Sequence, residues 1–398
     1  MREIHSLNEL SAHLGKTQSL KDTVIQSVDL STVRNEVLAA TIDNTVFLGC
    51  VLPDEVLASV VNQGAQVFPK LKGLPFNPYQ PILYNAQTLF DGFDERDPCS
   101  YCNTSDARIY QHWQDTGGPN PSTIADALSR RLHDMAMTDA IEDFMKELGA
   151  DRKIVGIMGG HSMHRSDAAY LKAAKISREL TRRGYLMVSG GGPGAMEATH
   201  VGAWFVDRTD SELEEAVAQL AKAPSYKDKQ WLAEAFRVME KYPTSESSSH
   251  ISLGIPTWLY GHEPPTPFAS HFAKYFANSV REDGLVTIAT SGLIFAPGSA
   301  GTIQEIFQDA TQNHYATTGV SSPMVFLDEQ YWTQEKPIYP ILKQLAVGKP
   351  YHDLIAIFDD MDSIISFIES NAPIPSQDKQ WSFCSEHCNP GAGLANRS

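Results

Sequence analysis

Glu305 stands four residues beyond Gly301 in the stretch GLIFAPGSAGTIQEIFQDA, residues 292–310. An apolar run ends at Pro297, small residues follow at Gly298, Ser299 and Gly301, and Thr302 opens a segment with helical spacing. A strand, a small-residue turn and a helix start leave backbone N–H groups free at the amino end of the helix. The helix dipole favours an anion there. A carboxylate one turn into such a helix has two readings. It can complement the dipole, or it can face a ligand whose phosphate rests on the same N–H groups. In the second reading it addresses the sugar attached to that phosphate. Breaking a glycosidic bond passes through an oxocarbenium-like state, which a nearby carboxylate stabilises while activating water.

Two other strand ends share the pattern. GGHSMHR (159–165) follows the apolar run KIVGIM, and GGGPGAME (190–197) follows YLMVS. One Gly-rich turn needs no function beyond making the turn. Three on one sheet edge build a pocket for a phosphorylated small molecule. Arg281 precedes the PGSAGT turn by 16 residues, room for a helix to finish and a strand to return to the same edge. Its guanidinium can donate two bonds at once to a phosphate or a carboxylate. His271, Lys274, Asn278 and Arg281 recur at helical spacing, so they are expected on one helix face, with His271 and Lys274 in solvent. YGHEPPTP (260–267) reads as an ordered loop over the sheet edge, where His262 and Glu263 either line the pocket or serve the loop alone. GGGPGA fits G-x-G-x-x-[GA], but it follows the second strand and no strand separates it from Asp207 or Asp210. That argues against a dinucleotide fingerprint, and no P-loop signature is present.

The elements that must hold these residues begin at residue 151. Apolar runs at 153–158, 185–189, 251–256, 292–296, 323–327 and 355–358 alternate with helical segments such as AAYLKAAKISRELTRRG. Runs that are apolar throughout mark strands buried on both faces. The expected fold is therefore α/β, a doubly wound Rossmann-like parallel sheet with helices on both faces, whose ligands sit at the carboxyl ends of the strands. Residues 1–150 form an extra N-terminal region of mixed strand, irregular and helical character. Within it, 18–52 hints at a coiled β-turn or degenerate solenoid with a recurrence near five residues, 70–121 reads as irregular, and 122–150 reads as a helix broken near Thr138. The resulting division is 1–150 accessory, 151–370 catalytic and 371–398 a surface extension.

The whole chain has 398 residues and a formal net charge of −16. That balance argues against a nucleic-acid binder, which needs a basic face, but leaves phosphate binding by backbone amides open. With no long apolar segment and no signal-like N-terminus, a cytoplasmic protein without membrane contact is expected. Of five cysteines, Cys99 and Cys102 form one close pair, and Cys384 and Cys388 another with His387 between. These read as reduced thiols; the alternative is a zinc site if the pairs meet in space.

The segments SGGGPGAMEATHVGA and R…PGSAGTIQE together resemble the LOG (Lonely Guy) family of nucleotide 5′-monophosphate phosphoribohydrolases, some of whose members carry a lysine decarboxylase label. The resemblance covers about residues 151–370, and residues 1–150 resemble, more faintly, the extra region of longer bacterial members. It implies a Rossmann-like enzyme, of AMP nucleosidase type, that cleaves (purine) nucleoside 5′-monophosphates to free base and ribose 5-phosphate. It implies no metal or redox cofactor and assembly as a homodimer or higher homo-oligomer. By position Arg281 and Glu305 match the catalytic pair, and Gly298, Ser299, Gly301 and Thr302 match the phosphate loop. Gly191, Gly192, Gly194 and Glu197 match a second nucleotide-contacting turn, and Ser162 falls where the family often has a serine after its first strand. Ser299 departs from the family's PGG. A glycine-only backbone at that position would strain the serine, whereas a position that needs only its N–H accepts it. That departure also keeps a non-catalytic nucleotide-binding or sensing protein on the same fold as the alternative.

Overall fold

The computed structural model describes residues 1–149, 151–245 and 249–375. The chain opens with β1 (Arg2–Ile4), α1 (Leu7–Thr17), β2 (Thr23–Gln26), α2 (Arg34–Ala39), β3 (Val46–Leu48), α3 (Asp54–Asn62) and β4 (Gln66–Phe68). These four strands pair in sequence order and all in parallel, with Arg2 opposite Thr23, Val24 opposite Val46 and Val46 opposite Gln66. Each coil thus advances 20 to 22 residues, not the five suggested by the local apolar recurrence. Ile4, Ile25, Phe47 and Val67 stack in register, and the first three are fully buried. A short parallel solenoid buries its apolar face only by such stacking.

Residues 70–121, expected to be irregular, contain α4 (Ala86–Leu89) and α5 (Ser105–Asp115), each with its N-terminal N–H groups held by an Asn or Thr side chain. Next, α6 (Ile124–Leu148) runs through Thr138 unbroken, with the Thr138 hydroxyl bonded to the Asp134 carbonyl one turn earlier and so not competing for an N–H outside the helix.

The main sheet then forms from β5 (Ile154–Met158), α7 (Ala168–Arg182), β6 (Leu186–Ser189), α8 (Ala195–Trp204), α9 (Asp210–Leu220), α10 (Trp231–Lys241), β7 (Ser252–Gly254), β8 (His271–Phe272), α11 (Asn278–Ile288), β9 (Leu293–Phe295) and α12 (Ala300–Tyr315). It is completed by β11 (Met324–Leu327), α13 (Ile338–Leu345), β12 (Ile355–Phe358) and α14 (Met361–Ser370), while β10 (Val320–Ser321) pairs apart with β13 (Ile374–Pro375). Seven parallel strands lie in the order β12-β11-β9-β5-β6-β7-β8. The order winds outward in both directions from β5 and β9, which is the α/β Rossmann-like arrangement. Every residue of β5, β6, β7, β9 and β11 is buried, as continuous apolar runs require.

His271 and Lys274 lie outside any helix: His271 is in β8, and α11 begins only at Asn278. Lys274 is fully buried against the equally buried Asp106. The stretch from 271 to 276 is buried on nearly every side chain, which no solvated helix face would be.

The apolar cores divide the chain elsewhere than at residue 150. Residues 4–60 have their own cluster. Phe76, Tyr84, Trp113, Met137 and Phe144 belong to the cluster under the main sheet, with Leu186, Phe272 and Phe295.

Candidate functional site

The carboxyl ends of β5, β6, β7 and β9 open into a cavity of about 430 Å³. It lies at the switch point between β5 and β9, where doubly wound sheets leave a crevice. Ser162, Gly192, Arg281, Ser299, Gly301, Thr302 and Glu305 all line it, as do His262 and Glu263 from the 260–267 loop. Residues from five separated segments therefore meet at one edge.

The β9 end supplies the amino terminus of α12. No side chain caps this helix, so the N–H groups of its first turn are directed at the cavity edge without intrahelical acceptors. Ser299 precedes the helix with φ −115° and ψ −140°; its φ is negative, so the position does not demand the left-handed backbone that favours glycine. Gly298 lies just behind the wall. A Cβ there would fall 2.1 Å from the Thr302 hydroxyl, and its carbonyl accepts bonds from the Tyr331 hydroxyl and, at 3.0 Å, from Lys336 Nζ.

Glu305 is nearly buried one turn along α12, with Oε1 3.8 Å from Arg281 Nη1. Burial pushes the carboxyl up to about 7, Glu282 adds to the rise, and Arg281 opposes it. A carboxyl that exchanges its proton near neutrality suits acid–base work. Arg281 is held from behind: Nε donates to the Ile255 carbonyl at 2.8 Å. Gly190 makes room for it, since a Cβ there would stand 2.4 Å from Arg281 Nη2. The start of α11 is fixed by Asp134 of α6, whose carboxylate accepts from the Phe276 and Ala277 N–H groups at 2.7 and 2.8 Å.

The turn after β6 is built for contact between backbones. Gly194 has φ +70°, and a Cβ on it would lie 2.3 Å from the Gly160 carbonyl oxygen. Gly191 packs against Gly254 and Pro256 and bonds through its carbonyl to the Thr266 N–H at 2.9 Å. Gly191 and Gly194 therefore shape the wall from behind, while Gly192 faces the cavity. Ser189 anchors the turn by accepting from the Gly191 N–H at 3.1 Å. His200 sits between Ser189 and Ser252 at 2.8 and 2.9 Å, and burial pulls its pKa down to about 3, so it is a neutral bridge.

Glu197 is a correction to the sequence expectation. It is fully buried beneath the turn and takes a two-pronged bond from Arg165, at 2.8 and 2.6 Å, and a third bond from the Tyr170 hydroxyl at 2.9 Å. Its oxygens hold α8 to the segment before α7 and do not reach the cavity.

The lining also includes groups the sequence did not single out: His161, Tyr226, Tyr260, Met196 and Glu282. His161 Nε2 and His262 Nε2 flank Glu263 at 3.8 and 3.7 Å. Tyr226 comes from the loop between α9 and α10, with no motif to mark it.

Of the cysteine pairs, Cys99 and Cys102 are free and exposed, while Cys384 and Cys388 lie outside the described residues. Among the described residues no helix is long and apolar enough to cross a membrane.

No protein-family model matches the chain, and no curated protein matches it significantly. Among solved structures, the molybdenum cofactor binding protein from the phototrophic bacterium Rippkaea orientalis is 14% identical, covering 56% of this chain and 98% of its own, with a TM-score of 0.35. A Moco carrier protein from Chlamydomonas reinhardtii is 14% identical over 55% of this chain and 96% of its own, with a TM-score of 0.33. Likeness at this level carries no ligand or activity across.

Proposed function

We propose that the cavity is the active site of a hydrolase that cleaves the N-glycosidic bond of nucleoside 5′-monophosphates, releasing the base and ribose 5-phosphate. The observation that carries this reading is the Arg281–Glu305 pair, 3.8 Å apart, on the wall beside the uncapped amino end of α12. The phosphate rests on the N–H groups of Gly301 and Thr302. Glu305 then faces the ribose, where it stabilises positive charge at the anomeric carbon and accepts a proton from the attacking water. The electron pair of the broken bond leaves with the base, which takes up the proton that Glu305 accepted. Arg281 orients the phosphate or assists the departing base. The rings of Tyr226 and Tyr260, which also line the cavity, offer stacking surfaces for a purine.

The test is incubation of the purified chain with AMP, GMP, IMP, CMP and UMP, followed by chromatography for free base, with Glu305→Gln alongside. Base release by the native protein and loss of that release in the variant are expected. Tight binding of a nucleotide without base release by the native chain would instead mark a non-catalytic binding protein and sink the hydrolase.

A further inference from the structure

Away from the cavity, a second group of titratable side chains meets where the solenoid touches α6. Glu3 lies in β1 and His5 just after it, two residues apart and therefore on one face of the extended chain. Asp143 comes from the last two turns of α6, on the other side of the junction. The donor atoms of Glu3, His5 and Asp143 all lie within 4.8 Å of one another. We propose that these three residues bind a divalent transition-metal ion of the zinc class, which clasps the solenoid to α6.

Three observations carry the proposal. First, Glu3 Oε2 and His5 Nε2 are sealed from solvent, have no hydrogen-bond partner, and stand 3.5 Å apart. Buried polar atoms without partners are costly and call for an explanation. Second, charge is unbalanced: Asp139, one turn before Asp143, adds a third carboxylate, while Lys146 engages Asp143 from the exposed side at 2.8 Å. Third, the donor set is right for the class. One imidazole nitrogen and two carboxylate oxygens suit zinc or manganese, whereas calcium takes six to eight oxygens. Zinc holds such donors at ~2.0–2.2 Å, which places them ~3.4 Å apart in a tetrahedron. The 3.5 Å between Glu3 and His5 already matches. The Asp143 oxygen lies within 4.8 Å of both, and a water takes the fourth position.

The experiment uses the full chain with Cys99, Cys102, Cys384 and Cys388 all replaced by serine, which removes both close cysteine pairs as competing ligands. The protein is stripped with EDTA and titrated with ZnCl2 and, separately, MnCl2, reading bound metal and melting temperature. The expected result is one ion per chain and a metal-dependent rise in melting temperature. His5→Ala and Asp143→Asn should each lower the affinity more than about tenfold and abolish the rise, with unchanged circular dichroism. His5 is partly exposed at a strand end, so its loss does not threaten the fold. Absence of stoichiometric binding in the chain lacking both cysteine pairs overturns the proposal, as does binding that both variants leave intact.

Discussion

Replacing Glu305 by glutamine should stabilise the protein and disable it at once. Its carboxyl titrates at about 7 because it is buried, with Arg281 only partly compensating. Between the ordinary value of 4.5 and about 7, the folded chain holds a proton that the unfolded chain has released. Stability contributed by this group therefore falls as pH rises through that window, and the cost is complete above it. At about 1.4 kcal/mol per pH unit, the ionised carboxylate costs the fold ~3 kcal/mol at alkaline pH. For a chain of this size that corresponds to ~4 °C in melting temperature. Glutamine keeps the shape without the charge. The melting temperature of Glu305→Gln, relative to the native protein, should then rise by ~3 °C between about pH 5 and about pH 8.5, since part of the window lies below pH 5. Base release should drop by ~10³-fold while nucleotide affinity stays within a few-fold, since the amide cannot take the proton. Calorimetry at the two pH values and chromatography of the products read both effects. A stability difference independent of pH would refute the burial argument, and near-native base release would refute the catalytic one.

Other perturbations separate the wall from its supports. Ser299→Gly should leave turnover within about twofold and cost ~0.5 kcal/mol, because φ is negative there and glycine only adds unfolded-state freedom; a large gain in rate would show that the serine obstructs the site. Glu197→Gln should lower stability by ~3 kcal/mol at neutral pH by leaving Arg165 buried and half-paired; denaturant titration measures it, and a drop in nucleotide affinity without loss of stability would instead return Glu197 to the ligand. Asp134→Ala strips the acceptor from two N–H groups ahead of α11, and should cost ~2–3 kcal/mol and reduce turnover by displacing Arg281; unchanged kinetics would mean that α11 is positioned by packing alone.

The main sheet was legible because its strands are buried on both faces. Continuous apolar runs at 154–158, 186–189 and 324–327 have no other simple reading, and their ends fell within a residue or two of the expected ones. The turns at 190–194 and 297–301 were legible through their small residues, and Arg281 and Glu305 through their spacing from them. What escaped depends on partners distant in sequence. Glu197 and Glu305 look alike in a motif, each a carboxylate early in a helix, yet Arg165 claims one and the cavity faces the other. Lys274 kept helical spacing with Arg281, but the buried Asp106 explains why it sits in an extended segment. The solenoid's strands are three or four residues long, too short to show alternation, and its repeat of 20 to 22 residues lies in the pairing register.

The bridge at the end of the sheet bears on how the protein must be made. Tyr84 closes the exposed side of β8 by exchanging hydrogen bonds with Phe272, at 2.9 and 2.7 Å. Translation delivers Tyr84 almost two hundred residues before its partner. Until β8 arrives, the segment around α4 to α6 lacks the Phe272, Tyr275 and Phe276 side chains that share a core with Phe76, Met137 and Phe144. A fragment that starts at β5 would have the opposite problem, an open strand edge above an apolar floor, and should aggregate during expression. Expression trials, domain dissections and fusions should therefore keep residues 74–148 with the sheet that follows them.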